Sequence, residues 1–139
     1  MPRTAYHEIY FHITWHTKGS LPMIKPDIEP KLHQFCKHKI PETPEIICRA
    51  VGGIEDHIHI AVTLPPAILP SDWIGKLKGA SSHHINQLAG RKALEWQRGY
   101  GIVSFGKKDL PWVVKYVLNQ KEHHKGGTTH DRLERTEDG

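Results

Sequence analysis

In residues 56–64, large apolar side chains alternate with polar or small ones, and this pattern constrains the fold more than any other in the chain. Such an alternation is typical of a β-strand, because successive side chains of a strand point to opposite faces of the sheet. One face of the predicted strand is apolar and the other begins with two histidines: Ile58, Ile60, Val62 and Leu64 against His57, His59, Ala61 and Thr63. The segment is therefore predicted to lie in a sheet with its apolar face on the core.

His57 and His59 are the first candidate site residues. Two imidazoles that stand two residues apart on one face of a strand can converge on a single metal ion. If they were buried without a partner, their polar nitrogens would cost stability. The same spacing also occurs in surface or packing positions without any ligand, so the pair alone leaves both interpretations open.

Tyr116 and Gln120 are the second pair. The apolar residues of segment 110–120 recur with a helical period, and the spacing of four residues places the phenol and the amide on one helix face. With the two histidines and the amide oxygen as metal ligands, Tyr116 would be a metal-assisted nucleophile. His124 is an alternative ligand, although a cation near a helix end explains it equally well, and Tyr116 alone fits an ordinary aromatic residue on a helix surface.

The length and composition indicate a single domain. A chain of 139 residues can bury one core without disulfides, and we expect a domain at residues 1–127 followed by a disordered polar tail at residues 128–139. No window approaches the run of about 20 apolar residues that a membrane span needs, and the first four residues do not resemble a signal peptide. Two cysteines without close spacing suggest a reducing compartment, the cytoplasm. The net charge of +4 is compatible with a nucleic-acid partner.

The order of the predicted elements indicates the fold. Strands are predicted at 7–15, 46–51, 56–64 and 100–105, and helices at 26–40, 72–88 (capped by Ser71) and 111–124, with a turn or bulge at Gly52 and Gly53. The order βαββαβ plus a C-terminal helix fits an α+β, ferredoxin-like antiparallel sheet. We expect strands one and three at its centre, two helices on one face, and an open second face on which the two histidines meet substrate.

Five motifs, in this order along the chain, resemble one protein family: 12–18, 53–66, 76–82, 96–101 and 116–124. On these motifs the chain resembles the single-tyrosine HUH (histidine, hydrophobic residue, histidine) transposases of small bacterial insertion sequences, the TnpA or IS-two-hundred-like group. The chain departs from the family at its end, where many relatives carry a longer apolar and acidic extension.

The resemblance implies a reaction and a set of partners. It implies that Tyr116 cleaves single-stranded DNA, forming a 5′-phosphotyrosine and a free 3′-OH, and that a 3′-OH then rejoins the strands. It implies a divalent metal on His57, His59 and Gln120, for which Mg²⁺ and Mn²⁺ are suitable and Mn²⁺ is expected to bind more tightly. It further implies a homodimer in the bacterial cytoplasm or nucleoid that recognises DNA hairpins. In the family, the tyrosine helix can complete the partner's metal site, and the glycine-flanked junction at residues 106–109 is consistent with such a swing.

Four basic residues are candidates for contact with DNA phosphates: Lys18, Lys76, Lys78 and Arg98. A solvated charged face is the ordinary explanation of such residues. Two further functions remain open at this point, a non-catalytic regulator that binds single-stranded nucleic acid and a metal-dependent nuclease that uses water instead of Tyr116. A pure binder would need neither the tyrosine nor the histidine pair, which favours the transposase.

Overall fold

The computed structural model describes residues 5–137 and contains one four-stranded antiparallel sheet, in the order β2-β3-β1-β4. The strands are β1 at Tyr10–His16, β2 at Ile47–Ile54, β3 at His57–Thr63 and β4 at Gly101–Phe105. The helices are α1 at Glu29–Lys39, α2 at Pro70–Ala89, α3 at Leu110–Leu118, α4 at Gln120–Gly126 and α5 at Asp131–Glu134. The predicted α+β, ferredoxin-like order is confirmed, and β1 and β3 are central as expected. Within the described residues, no helix combines the length and apolar character that crossing a membrane requires.

The main core lies between the sheet and the pair α1 and α2. The apolar face predicted for β3 points into this core, where Ile58 and Ile60 are fully buried. Burial of one such side chain contributes roughly 1.5–3 kcal/mol, so the alternation of β3 fixes which face of the strand meets the helices. Its histidines consequently lie on the opposite face of the sheet.

The prediction of an open second face is wrong for this chain, because α3 covers it. Val113 and Val117 recur at helical spacing and pack on Ala50 and Ala61 in a second buried cluster. The small strand residues allow this close approach. At Gly52 the approach is closest, since a Cβ there would collide with the backbone oxygen of Val117.

Gly52 and Gly53 form neither a turn nor a bulge, which corrects the prediction. Both belong to β2 and pair with β3, while the register irregularity lies earlier, between Cys48 and Ala50. Gly53 has a φ of 153°, and a Cβ at this position would collide with the backbone oxygen of His57. The two glycines therefore allow close backbone packing around the site instead of a chain reversal.

Two helix boundaries also differ from the prediction. The C-terminal helix is interrupted at Asn119, whose φ of −111° and ψ of 35° are not helical, so that α3 and α4 are separate. Ser71 lies inside α2, which begins one residue earlier with a proline, and Leu69 occupies the N-cap position. The predicted end of α2 at Gly90 is confirmed by its left-handed conformation, with a φ of 68°.

The tail was expected to be disordered, whereas the structure places α5 within it. Leu133 is 2% exposed, and Arg132 donates a hydrogen bond to the backbone oxygen of Ser104 on β4 at 2.6 Å. The backbone at Arg135 approaches Gly101 so closely that a Cβ on the glycine would collide with it. One buried leucine and these backbone contacts anchor a segment whose composition is otherwise polar. Residues 1–4 and 138–139, which the predicted domain and tail include, lie outside the described part of the chain.

Candidate active site

His57 and His59 are buried on the face of β3 that α3 and α4 cover, with exposed fractions of 2% and 0%. The Nδ1 atom of each ring has a polar neighbour: Asp56 Oδ1 lies 2.6 Å from His57, and His12 Nε2 lies 2.7 Å from His59. Neither Nε2 atom has a hydrogen-bond partner among the described residues. Two buried nitrogens without such a partner, directed at one space, are the arrangement that a metal ion would stabilise.

Asp56 determines the protonation of the His57 ring. A carboxylate can only accept, so His57 Nδ1 donates to it and Nε2 is the nitrogen left for a ligand. Burial lowers the pKa of His57, but the contacts with the Asp56 and Glu134 carboxylates outweigh it and raise this pKa to about 9. Before it can ligate a metal, His57 must therefore lose a proton.

His12 and His59 have the opposite electrostatic character. Burial lowers the pKa of His12 to about 3 and that of His59 to about 4. Both rings are therefore neutral at physiological pH. Two neutral rings 2.7 Å apart at Nε2 and Nδ1 share one proton in a buried hydrogen bond.

The helix α4 brings Gln120 and His124 to the site. Gln120 is buried, and its Nε2 donates to the backbone oxygen of Tyr116 at 2.8 Å. Its Oε1 accepts from His124 Nε2 at 3.0 Å. A nitrogen that donates this hydrogen bond has no lone pair for a metal, so His124 and Gln120 are alternative third ligands.

Glu134 of α5 is a site residue that the sequence did not reveal. Its Oε1 lies 3.4 Å from His57 Nε2, 3.3 Å from His59 Nε2 and 3.4 Å from His124 Nε2. One ligand atom from each of these four residues lies within 4.8 Å of the others. Ligands at about 2.1 Å from a common ion are separated by about 3–3.5 Å, the spacing that Glu134 Oε1 has to each histidine nitrogen. The cluster therefore has the donors for one divalent metal, with His124 available only when its Nε2 no longer donates to Gln120.

Tyr116 contacts the second carboxylate oxygen of Glu134. Its hydroxyl donates to Glu134 Oε2, and the backbone N–H of His130 donates to the phenol oxygen at 3.0 Å. The side chain is 1% exposed, and its ring lies edge-on to His59 with 5.9 Å between the centroids. Burial and the hydrogen bond to Glu134 raise the pKa of the phenol. In this arrangement the hydroxyl is shielded, and Glu134 separates it from the histidines.

The predicted DNA-binding residues are not gathered around this cluster. Lys76 is exposed on α2, which packs on the opposite face of the sheet, and Arg98 is exposed before β4. Lys78 Nζ donates to the backbone oxygens of Gln97 and Gly99 at 2.8 and 2.9 Å, which ties α2 to the chain that leads into β4. Lys18 is exposed and forms a 2.9 Å ion pair with Glu95.

Comparison of the sequence with known proteins finds one matching family. The family described as "Transposase IS200 like" matches residues 5–120. Two similar proteins are transposases for insertion sequence element IS200, from Salmonella typhimurium strain LT2 and from Salmonella typhi. Each is 31% identical over 102 residues, which cover 69% of this chain and 63% of theirs. The chain thus spans less than two thirds of the length of these curated relatives.

Solved structures with the same fold have low sequence identity. A crystal structure of a candidate transposase from Deinococcus radiodurans R1 superimposes with a TM-score of 0.67 at 17% identity, over 86% of this chain and 96% of that one. A REP-associated tyrosine transposase bound to a REP hairpin superimposes with a TM-score of 0.58 at 16% identity, over 93% of this chain and 75% of that one. Both similarities confirm the fold.

Proposed function

The chain belongs to the IS200-like transposase family, a family of DNA-cleaving enzymes, and from this premise we propose that it cleaves and rejoins single-stranded DNA with Tyr116 as the nucleophile. One observation carries the proposal. The phenol of Tyr116 donates a hydrogen bond to Glu134, and the Nε2 atoms of His57 and His59, which have no hydrogen-bond partner within residues 5–137, lie 3.3–3.4 Å from the same carboxylate. A regulator that only binds DNA would have no use for this convergence.

The proposed reaction exchanges one ester for another. The Tyr116 oxygen attacks phosphorus, a tyrosine–phosphorus bond forms, and the bond from phosphorus to the 3′ oxygen breaks. The phenol loses a proton and the departing 3′ oxygen gains one, so that a 5′-phosphotyrosine and a free 3′-OH result. Because the phosphoester is conserved, a second 3′-OH can reverse the step and join the strands without an external energy source.

His57, His59 and Gln120 are the proposed ligands of a divalent metal, with His124 as the alternative to Gln120. Imidazole donors favour transition metals, so we expect Mn²⁺ to bind more tightly than Mg²⁺. When bound, such an ion neutralises charge on the non-bridging phosphate oxygens and orients the phosphate. The protein positions the ligands: Asp56 holds the His57 ring, and burial keeps His59 neutral.

Substrate entry requires that Glu134 leave the site. A phosphate placed between the Tyr116 oxygen and an ion held by the histidines would need the volume that the Glu134 carboxylate now takes. Two anionic groups in this volume would also repel each other. We therefore propose that α5 is displaced when DNA binds.

The proposed substrate is single-stranded DNA that carries a hairpin, and the proposed assembly is a homodimer. The net charge of +4 favours a polyanionic partner. The REP-associated transposase of similar fold was solved with a hairpin, which supports the same class of ligand here. We propose that the exposed Lys18, Lys76 and Arg98 contact DNA phosphates. Lys78 donates to two backbone oxygens, so we propose the same role for it only if a phosphate replaces one of these acceptors.

Trapping a covalent protein–DNA adduct tests the proposal. Wild-type protein with Mn²⁺ and single-stranded oligonucleotides covering palindromes from the DNA that flanks its gene should form an adduct stable to denaturation. Tyr116→Phe should abolish the adduct while DNA binding is retained, because only a hydroxyl is removed and the ring is kept. Tyr6→Phe, which removes an exposed phenol hydroxyl far from the site, is the matched control.

The same assay separates the alternatives. Chelator, His57→Ala and His59→Ala should each suppress the adduct, and a blunt duplex of the same sequence should give none. Cleavage without an adduct would identify a hydrolytic nuclease instead. Binding of the oligonucleotides by wild type without any cleavage would identify a regulator.

A further inference from the structure

His12 is a buried polar residue of β1 that lies directly behind His59. It is 1% exposed, and its Nε2 lies 2.7 Å from His59 Nδ1, on the far side of the His59 ring from Glu134. The ring centroids of the two histidines are 4.9 Å apart. Among the hydrogen bonds of the described residues, His12 reaches the candidate metal centre through His59, so we expect its effect on the centre to act mainly through that ring.

The proton between these two nitrogens decides whether His59 can ligate. If His59 Nδ1 donates to His12 Nε2, the lone pair of His59 Nε2 is directed at the cluster of ligands. If His12 Nε2 donates instead, His59 Nδ1 is the acceptor and His59 Nε2 carries the hydrogen, which excludes it as a ligand. His59 can therefore ligate a metal when it donates this hydrogen bond, and cannot when it accepts it.

Unlike Asp56 behind His57, His12 is able to act as donor or acceptor. When the hydrogen of the neutral His12 ring is on Nδ1, its Nε2 is the acceptor. The Glu134 carboxylate, 3.3 Å from His59 Nε2, favours a hydrogen on that nitrogen and so opposes the ligating form. A second acceptor behind His59 is needed to counter it.

We infer that His12 is a positioning residue, which accepts a hydrogen bond from His59 Nδ1 and so keeps the lone pair of His59 Nε2 directed at the metal. The inference rests on the metal site of the proposed function. Partners behind ligating histidines typically change metal affinity by about 10–100-fold, and we expect an effect of this size here.

Three variants isolate this role. His12→Gln places an amide oxygen at the same distance along the side chain as Nε2 and can still accept, whereas His12→Leu cannot. Thr14→Val is the matched control, because it removes another buried hydrogen bond of β1, from Thr14 Oγ1 to the backbone oxygen of Ile58 at 2.8 Å, at the position that pairs with His59, and leaves both imidazoles unchanged. Thermal unfolding of each metal-free protein identifies variants that have lost their fold.

Mn²⁺ titration by calorimetry is the first measurement. We expect His12→Leu to weaken Mn²⁺ binding by about 10–100-fold, His12→Gln to restore most of the affinity, and Thr14→Val to lower thermal stability while affinity is unchanged. Unchanged affinity in a folded His12→Leu protein, or equal losses in all three variants, would overturn the inference. If His12→Leu does not fold, failure of His12→Gln to retain affinity has the same consequence.

Nitrogen-15 NMR of the protein loaded with diamagnetic Zn²⁺ is the second measurement. The proton in the histidine pair should show its one-bond coupling to His59 Nδ1 and a weak coupling across the hydrogen bond to His12 Nε2. A proton attached to His12 Nε2 would contradict the assigned direction. If wild type forms the adduct and His12→Leu binds Mn²⁺ as tightly as wild type, only the role of His12 is refuted. His12-dependent metal binding without any adduct would refute only the proposed strand cleavage.

Discussion

At the scale of single residues, the buried histidines of the site have pKa values displaced in opposite directions. Burial lowers the pKa of His12 to about 3 and that of His59 to about 4, whereas carboxylate contacts outweigh burial and raise that of His57 to about 9. From pH 6.5 down to about 4, the unfolded chain binds protons at His12 and His59 that the folded chain excludes. From pH 6.5 up to about 9, the folded chain keeps a proton on His57 that the unfolded chain loses. Stability should therefore fall in both directions from about pH 6.5.

Denaturant unfolding in the presence of chelator at pH 4.5, 6.5 and 9 measures this dependence. We expect the free energy of unfolding to drop by on the order of 1 kcal/mol or more on each side of the maximum. His57→Gln should remove the alkaline decline, because the raised pKa is lost with the imidazole. His38→Gln, which changes an exposed histidine of α1, should leave the profile as it is. Stability that keeps rising from pH 6.5 to 9 would contradict the ion pairing of His57.

The sequence indicated some of these residues and not others for physical reasons. His57 and His59 belong to a segment with a period of two, and Tyr116 belongs to one with a helical period. In each segment the period assigns every side chain to one face. Glu134 lies in a polar segment without any period, and the lone apolar Leu133 was its only signal. The role of His12 depends on strand register: the predicted fold placed β1 and β3 together, but the register that puts His12 opposite Ala61, near His59, is not contained in a sequence pattern.

At the scale of elements, we expect the short helix α5 to control access to the site. It inserts Glu134 between Tyr116 and the histidines. Contacts with His57 and His59 outweigh the effect of burial and hold the pKa of Glu134 well below its usual range, so it is a carboxylate at neutral pH. Glu134→Gln weakens the hydrogen bond that Tyr116 donates to a charged group, which contributes roughly 1.5–3 kcal/mol, and removes the charge that faces the histidines. We therefore expect adduct formation to become about tenfold faster, with a larger increase when residues 128–139 are deleted.

Single-turnover rates of adduct formation at saturating DNA and Mn²⁺ test this expectation. Asp131→Asn is the matched control, because it removes one negative charge from the same helix at an exposed position, where the ion pair with Arg135 is 3.9 Å long. Its rate should equal that of wild type. A slower reaction in Glu134→Gln would instead indicate that catalysis requires the carboxylate, as a metal ligand or otherwise, and that α5 stays in place.

The elements also show where local pattern ceases to determine structure. The alternation of β3 assigned its faces correctly, but it did not reveal that α3 would cover the histidine face. The helix α3 can lie close to this face because Ala50, Ala61 and Gly52 are small. These residues form one surface only when β2 and β3 are paired. The interruption at Asn119 likewise leaves the helical period of its neighbours intact, so it gives no signal in the sequence. Tertiary packing decided both outcomes.

At the scale of the whole molecule, the two halves of the candidate site come from one chain. The family resemblance implied that the tyrosine helix can complete the site of a partner, and the junction at residues 106–109 is consistent with such a swing. The structure instead packs α3 on its own sheet, with Val113 and Val117 against Ala50 and Ala61. A swing would expose this apolar cluster, which costs roughly 25 cal/mol for each Å² returned to water.

The packing of α3 on its own sheet predicts what happens when two differently mutated subunits are mixed. Tyr116→Phe and His57→Ala subunits should each be inactive, and in the proposed homodimer a mixed pair has a complete site only if the Tyr116 helix serves its partner. Because His59 and Tyr116 meet within one chain, at 5.9 Å between ring centroids, every site of a mixed pair lacks one essential group. We expect no recovery of adduct when subunit exchange is verified by native mass spectrometry, while wild type mixed with either variant should retain about half its activity per mixed dimer. Recovery of cleavage in the doubly mutant pair would show that α3 leaves its own sheet in the active state, and that the cluster at Ala50 and Ala61 reforms between subunits.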